Sequence, residues 1–523
     1  MLKKGLRIPF RKWVIIIIGF GILIRLVQYL YNRSLWADEA KIALNIVNSS
    51  YLDFLQPLDY DQAAPVGFLM VEKLAVQLFG NNEYALRLFP LLVSIFSLFI
   101  FYRLARFYLN KRGTLFALAL FSSNQYLVYY ASETKQYASD VAIGLVMFWV
   151  LLHSHTQALT PARTIWTGLV GAIAIWFSHP VVFILAGVEL VYLISDLQRY
   201  LKRSLTTRQE SQIAPDQISP DQIAPDQIGQ RLGIYGIWLS SFIAFYLISL
   251  ADIRSNKFLP FTWSNEFPES PWDGGWFFDA TRLFFYKPLG FPPVISELAG
   301  LMFLIGCISL FKHQRVHLFS LITPALLTLL AGYLHQYPFD NRLVLFLAPF
   351  FIILLVKGLT NILESVRVKS ALASGLIAIF ILGFPVVEGC LFLVKPYMLE
   401  NIKPVMDYVR DHHQPGDEIY VFQKGKFQFR YYAARYGFTP DEYKIGIDLD
   451  DDLTQTISTQ DEKVGYRNDI NQFKGEPRVW FLVSDSRLRD ETEFVISHLD
   501  KIGQKVDSFK SNVPTSFVSL YDL

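Results

Sequence analysis

Eleven apolar runs, at 13–31, 86–108, 114–131, 137–154, 164–178, 180–197, 232–252, 294–311, 316–334, 342–358 and 370–391, leave this chain few folds to choose from. A helix of about 20 apolar residues crosses about 30 Å of hydrocarbon, where backbone groups must be bonded within the segment. The runs therefore predict a polytopic α-helical membrane protein of about eleven spans over residues 1–391. Composition agrees, since 52% of the 523 residues are hydrophobic, 15% aromatic and only 18% charged, unlike a soluble domain. The fifth and sixth runs are separated only by Ser178-His179-Pro180. One long kinked helix or a re-entrant pair is the alternative there.

Charge placement orients the spans. Lys3, Lys4, Arg7, Arg11, Lys12, Lys111, Arg112, Arg163, Arg199, Lys202, Arg203, Arg208, Lys312, Arg315, Arg367 and Lys369 fall on one side of an eleven-span count. Lys/Arg excess in short loops marks the cytoplasm. The opposite set, 34–84, the turn near Glu133, 252–293, 335–342 and the tail after Leu391, then faces outward across a cytoplasmic membrane. The first run lacks a small-residue cleavage site and reads as an uncleaved span. A net charge of +2 with no basic stripe excludes a nucleic-acid partner. Cys307 and Cys390 lie in apolar runs and imply neither a disulfide framework nor a metal set.

The cytoplasmic segment 199–231 holds a tandem pentapeptide, starting at Gln212, Gln217 and Gln222 and ending at Gln227-Ile228. Proline at every fifth position blocks helix and ladder, so a low-complexity spacer is expected, with a binding tract as the alternative. The outward loop 252–293 carries Trp263, Trp272 and Trp276, which suits an interfacial belt or a sugar-stacking surface. From 392 to 523 hydropathy falls. A helical pattern at Ile402–His412 and β-like runs at 418–422 and 478–483 predict a soluble extracytoplasmic α/β domain. It has no glycine-rich phosphate loop, so nucleotide binding is unsupported. The acidic run 448–452 reads as a solvated loop.

Polar residues gather at the outward ends of the spans. Asp38, Glu39 and Lys41 follow the first run, and Asp38 and Lys41, three apart, share a helix face. Asp38 as a helix N-cap is the plainer reading. Arg87 opens the second run, Glu133, Lys135, Tyr137 and Asp140 straddle the third turn, and His335, Tyr337, Asp340, Asn341 and Arg342 fill the late one. Singly such charges are anchors that snorkel. Together, a carboxylate can deprotonate an acceptor hydroxyl while cations neutralise a departing phosphate. Asp59 and Asp61 are a weak pair for a divalent cation, and no other cofactor is indicated.

Several stretches together resemble the GT-C fold membrane glycosyltransferases, in particular the protein O-mannosyltransferase and lipid A aminoarabinose transferase superfamily. They are Arg25-Leu26 with Ser34 to Ala40, Gly80 to Pro90, Ala131 to Ala138, and Tyr337 to Arg342 running on to Pro349. The resemblance implies Asp38 as catalytic base with Glu39 beside it, Lys41 as the basic residue three later, and Lys135 and Arg342 near a lipid phosphate. Arg87, Tyr137 and His335 join the expected substrate and phosphate contacts. Gln62 to Val66 departs from relatives that carry a charged residue or His before Pro-Pro. The expected activity is transfer of a sugar from a polyprenyl-phosphate donor to a glycan, lipid or protein acceptor outside the membrane. The rival, a transporter or flippase of lipid-linked sugars, predicts paired repeats and charges near the midplane, whereas these charges sit at one face.

Overall fold

The structure, a computed structural model, describes residues 9–210, 225–250, 263, 266–270, 272–367, 371–449, 460–485, 490–513 and 515–523. The pentapeptide repeats up to residue 224 and most of the acidic run lie outside them, while Pro225 and Asp226 of the third repeat open a helix. The membrane part comprises α1 (Phe10–Leu30), α2 (Ala37–Asn48), α3 (Val66–Phe79), α4 (Glu83–Tyr108), α5 (Lys111–Ser123), α6 (Gln125–Tyr129), α7 (Tyr137–Ser154), α8 (Pro161–Phe177), α9 (Val181–Glu210) and α10 (Pro225–Phe245). It continues with α11 (Gly274–Tyr286), α12 (Pro293–His313), α13 (Arg315–Tyr333), α14 (Ala348–Arg367) and α15 (Ala371–Val394). Each of the eleven apolar runs carries helix in its described residues, and among those residues nine helices are long and apolar enough to cross a membrane. The chain is a multi-pass membrane protein.

The expected count of eleven differs from nine at two places. The run 114–131 is broken, because the Asn124 side chain accepts from Leu127 N to start α6 while its amide donates to the Pro288 and Leu289 carbonyls at 3.0 and 2.9 Å. An in-helix polar group has been diverted to a tertiary role, leaving α5 with 13 residues. The other is α8, with 17 residues. It ends at Phe177 and α9 starts at Val181, so the fifth and sixth runs form two helices.

Polar caps start several helices: Asn82 for α4, Asn110 for α5, and Thr160, with Pro161 behind it, for α8. Helix α14, buried without a gap from Val344 to Val356 with the 3₁₀ turn before it, runs through the middle of the bundle. It meets α12 backbone to backbone. A Cβ on Gly306 would overlap the Leu354 carbonyl, and one on Gly358 the Met302 carbonyl, the small-residue approach that lets helices pack in lipid.

After α15 come α16 (Lys403–His412), β1 (Glu418–Val421), α17 (Lys426–Ala433), β2 (Tyr443–Ile445), α18 (Gln460–Asn471), β3 (Val479–Ser484), α19 (Asp490–Ile502), β4 (Gln504–Lys510) and β5 (Ser516–Asp522). The sheet order is β2-β1-β3-β5-β4, with β1 parallel to β2 and β3, and β5 antiparallel to β3 and β4. Side chains alternate between faces along each strand. Tyr420, Phe422, Phe481, Val483 and Tyr521 face Tyr466, Ile470, Val495 and Leu499 of α18 and α19. Ile419, Val421, Trp480, Leu482, Val518 and Leu520 face the other way, into a core shared with α16, α17 and the first-loop helices α2 and α3. Burying each such side chain is worth about 1.5–3 kcal/mol. The soluble domain is thus packed onto residues 35–69 across the expected boundary at 391.

Candidate active site

Beyond α1 the chain turns at Asn32, whose φ of 50° is left-handed, an angle Asn tolerates. It then runs extended to Trp36, the N-cap of α2, which makes no side-chain capping bond. The N-cap reading of Asp38 is thereby corrected: Asp38 is the second residue of the helix and its carboxylate leaves the helix. It meets Lys135 Nζ at 3.1 Å and Arg342 Nη1 at 2.9 Å. These three come from three separate outward segments, 34–84, the turn near Glu133 and 335–342. The side chains of Asp38 and Arg342 are 19% and 20% exposed, so the pair is reachable, whereas Lys135 is 5% exposed.

Burial alone would raise the Asp38 carboxyl, but Lys135, then Arg342, hold it well below the usual carboxylate range. It is ionised at any neutral pH. Lys135 is lowered, by burial first, with Asp38 opposing. Its ammonium also donates to Gln62 Oε1 at 2.7 Å, so the residue that departs from the family pattern still touches the phosphate candidate as a neutral acceptor. Arg342 lies over three rings, Tyr137 at 5.5 Å, Trp36 at 5.6 Å and Trp263 at 5.8 Å. Such a cage orients a planar cation. It also brings the aromatic loop to the site through Trp263.

Glu39 and Arg87, expected as catalytic and phosphate-binding residues, are bonded to each other. Arg87 Nε and Nη2 donate to the two Glu39 oxygens at 2.9 and 2.7 Å, and its remaining reach goes to the carbonyls of Arg33 and Ser34. Thr134 N also donates to Glu39. The Glu39 carboxyl is held low against burial by Arg87 and Arg33. Both side chains are buried, 0% and 2% exposed, and a forked Arg–carboxylate pair of this kind locks geometry. The pair ties α2, α4 and the turn at Thr134 together.

The remaining expected residues divide. Lys41 Nζ sits 4.9 Å over the Phe427 ring of α17, and burial lowers it while Asp38 and then Asp61 oppose. It faces the seam with the soluble domain. His335 is exposed and its ring lies against Phe267, outside the Asp38 group. Asp59 is exposed, and Asn45 bonds its backbone at both N and O. Among the described residues no three His, Cys, Asp or Glu side chains, Asp59 and Asp61 included, group as a metal set.

Four residues at the site were not named as contacts beforehand: Gln62, Trp36, Trp263 and Glu133. Trp36 Nε1 donates to Glu133 Oε1 at 2.9 Å while Glu133 Oε2, Thr134 Oγ1 and Gln136 Oε1 are buried without a hydrogen bond among the described residues. Burial, then the Glu39 charge, push the Glu133 carboxyl up to about 7. The Trp-Ala-Asp-Glu and Ser-Glu-Thr-Lys stretches carried a signal for Trp36 and Glu133. Gln62 and Trp263 had none beyond their loops.

Residues 62–208 match the family model described as dolichyl-phosphate-mannose-protein mannosyltransferase. The structure matches ArnT from Cupriavidus metallidurans in the apo state, with 13% identity and a TM-score of 0.54 over 98% of each chain. It also matches ArnT from the same organism bound to undecaprenyl phosphate, at 12%, 0.53 and again 98% of each. The archaeal oligosaccharyltransferase AglB from Archaeoglobus fulgidus, in complex with an inhibitory peptide and a dolichol-phosphate, matches 90% of this chain and 70% of its own at 12% and 0.51. No curated protein matches by sequence. Over nearly its whole length the chain therefore has the fold of these GT-C structures, and residues 62–208 are similar to the mannosyltransferase family model.

Proposed function

We propose that this protein transfers a sugar from a polyprenyl-phosphate donor to an acceptor hydroxyl of a glycan, lipid or protein, at the outer face of a cytoplasmic membrane. The observation that carries the reading is one carboxylate, Asp38, held at the end of a helix bundle between two cations from different segments, Lys135 and Arg342. Proteins of the same fold have been solved with undecaprenyl phosphate and with a dolichol-phosphate. The Lys/Arg asymmetry of the loops supports an outward site.

In this reading the donor phosphate takes the place between Lys135 and Arg342 that Asp38 occupies at rest. The phosphate then neutralises the two cations that depress the Asp38 carboxyl, which rises and becomes a better base. Asp38 takes the acceptor hydroxyl proton, the acceptor oxygen bonds to the anomeric carbon, and the bond from that carbon to the phosphate oxygen breaks. Polyprenyl phosphate leaves with the electron pair, its added charge met by Lys135 and Arg342. Purified protein in lipid nanodiscs, given a panel of undecaprenyl-phosphate-linked sugars and membrane extracts as acceptors, is expected to release undecaprenyl phosphate with gain of the sugar on an acceptor. Movement of intact donor across vesicles, without cleavage, would overturn the reading in favour of a transporter.

A further inference from the structure

The segment that delivers Asp38 is bonded to the soluble domain along its length. Lys403 Nζ donates to Asn32 O at 2.7 Å, Ser34 Oγ donates to Asn401 Oδ1 at 2.6 Å and accepts from Lys403 N at 3.2 Å, and Leu35 N donates to Tyr432 OH at 2.9 Å. Glu83, the first residue of α4, pairs with Lys403 at 2.9 Å and Arg435 at 3.2 Å and accepts from Tyr432. The clamp therefore grips both α4 and the approach to α2.

At the start of α2 the contact becomes specific. A helix leaves its first N–H groups unbonded within the helix, and Trp36 has no side-chain acceptor to offer. Glu400, 1% exposed, accepts from Ala37 N at 2.9 Å. A carboxylate there also meets the positive end of the helix dipole. Glu400 is in turn bonded to Gln428 of α17, which donates to Ser484 Oγ at the end of β3, and Ser484 Oγ lies 3.1 Å from Ser516 Oγ at the start of β5. Gln428, Ser484 and Ser516 are all fully buried. A buried polar rod thus runs from the sheet to the amide one residue before Asp38.

We propose that the C-terminal domain sets the position of Asp38, with Glu400 as the positioning residue that caps the helix bearing it. The inference rests on the transferase reading for its consequence in turnover but has a readout independent of it. Glu400 does not touch the reacting groups. Its loss frees the first turn of α2, so Asp38 drifts relative to Lys135 and Arg342, and misplacement of about 1 Å costs up to about 100-fold in rate.

The test uses the full chain in nanodiscs, followed by hydrogen–deuterium exchange and by turnover with the undecaprenyl-phosphate-linked sugar on which the unaltered protein is most active. Glu400→Ala is expected to speed exchange over Ala37 to Ala40 and to lower kcat about tenfold or more, with donor KM within about twofold. Glu400→Gln keeps an acceptor oxygen and is expected to restore most of both. Gln428→Ala, one bond further back, is expected to give a smaller change in the same direction and serves if Glu400→Ala does not accumulate. Unaltered exchange and turnover in Glu400→Ala, or a Gln variant as impaired as the Ala variant, would overturn the proposal. If the unaltered protein transfers no sugar, the transferase reading fails, while the exchange comparison still decides the positioning.

Discussion

Glu189 and Asp38, near opposite ends of α7, are each held by two basic side chains, and their surroundings differ in one respect. Around Glu189 of α9, His155 Nε2, Arg231 Nη1 and the Tyr235 hydroxyl donate to the two carboxylate oxygens at 2.9, 3.2 and 2.7 Å, and the His155 ring stacks on Tyr192 at 3.6 Å. Its bonds are complete and its side chain is 9% exposed. Around Asp38, at 19% exposed, the neighbouring turn keeps buried oxygens of Glu133, Thr134 and Gln136 with no hydrogen bond among the described residues. A complete set of bonds makes a staple that holds α7, α9 and α10 together. An incomplete one keeps a structural cost, since each unmet buried polar group costs about 1–3 kcal/mol, and such a cost is tolerated where a ligand completes the set.

The comparison is tested most severely by Asp38→Asn. A positioned carboxylate base contributes about 10²–10⁴-fold, so turnover is expected to fall by at least about 100-fold with binding of undecaprenyl phosphate retained. Near-normal turnover would place Asp38 with Glu189 as a staple. Next, Arg342→Lys keeps the charge but loses the planar donor that sits among Trp36, Tyr137 and Trp263. Roughly tenfold slower transfer is expected, equivalent to about 1.4 kcal/mol, and steady-state kinetics checks it.

Glu133→Gln is expected to change turnover only a few-fold and to act through pH. The carboxyl has an ordinary value of 4.5 and is raised to about 7 in the folded chain, so between these pH values the folded state binds the extra proton. Stability from this group is therefore lost as pH rises from about 4.5 to 7. In thermal unfolding the Gln variant should match the unaltered protein near pH 4 and exceed it at pH 8. Last, Glu189→Gln should leave turnover of folded protein within about twofold, while removing one partner of a buried pair lowers stability by about 3 kcal/mol. A large loss of activity at unchanged stability would end the contrast.

Much of this was legible in the sequence for identifiable reasons. The spans could be read because hydrocarbon imposes a minimum apolar length, and the convergence of Asp38, Lys135 and Arg342 because all three lie at ends of apolar runs on one side. The break at Asn124 could not, since its amide is drawn off by carbonyls at 288 and 289, more than 160 residues away. Glu39 adjoins Asp38, but successive helical side chains point about 100° apart, and that turn delivers it to Arg87. His335 shares a turn with Arg342, but membership of a turn does not set side-chain direction. The strands of the soluble domain showed themselves by their apolar residues. That one face of them packs on α2 and α3 depends on contacts more than 300 residues apart, which no local pattern encodes.

The clamp on residues 32–37 has a consequence in time. A ribosome makes Asp38 well before Glu400, Gln428, Ser484 and Ser516, which all follow the last described membrane helix, Ala371–Val394. Until then α2 has no cap and the apolar surface around Ile42, Ile46 and Phe68 has no sheet to cover it. The two cations, contributed by segments in between, await their carboxylate in its final place. The Asp38, Lys135 and Arg342 group thus gains its final support only once the strands that follow the membrane helices have been made.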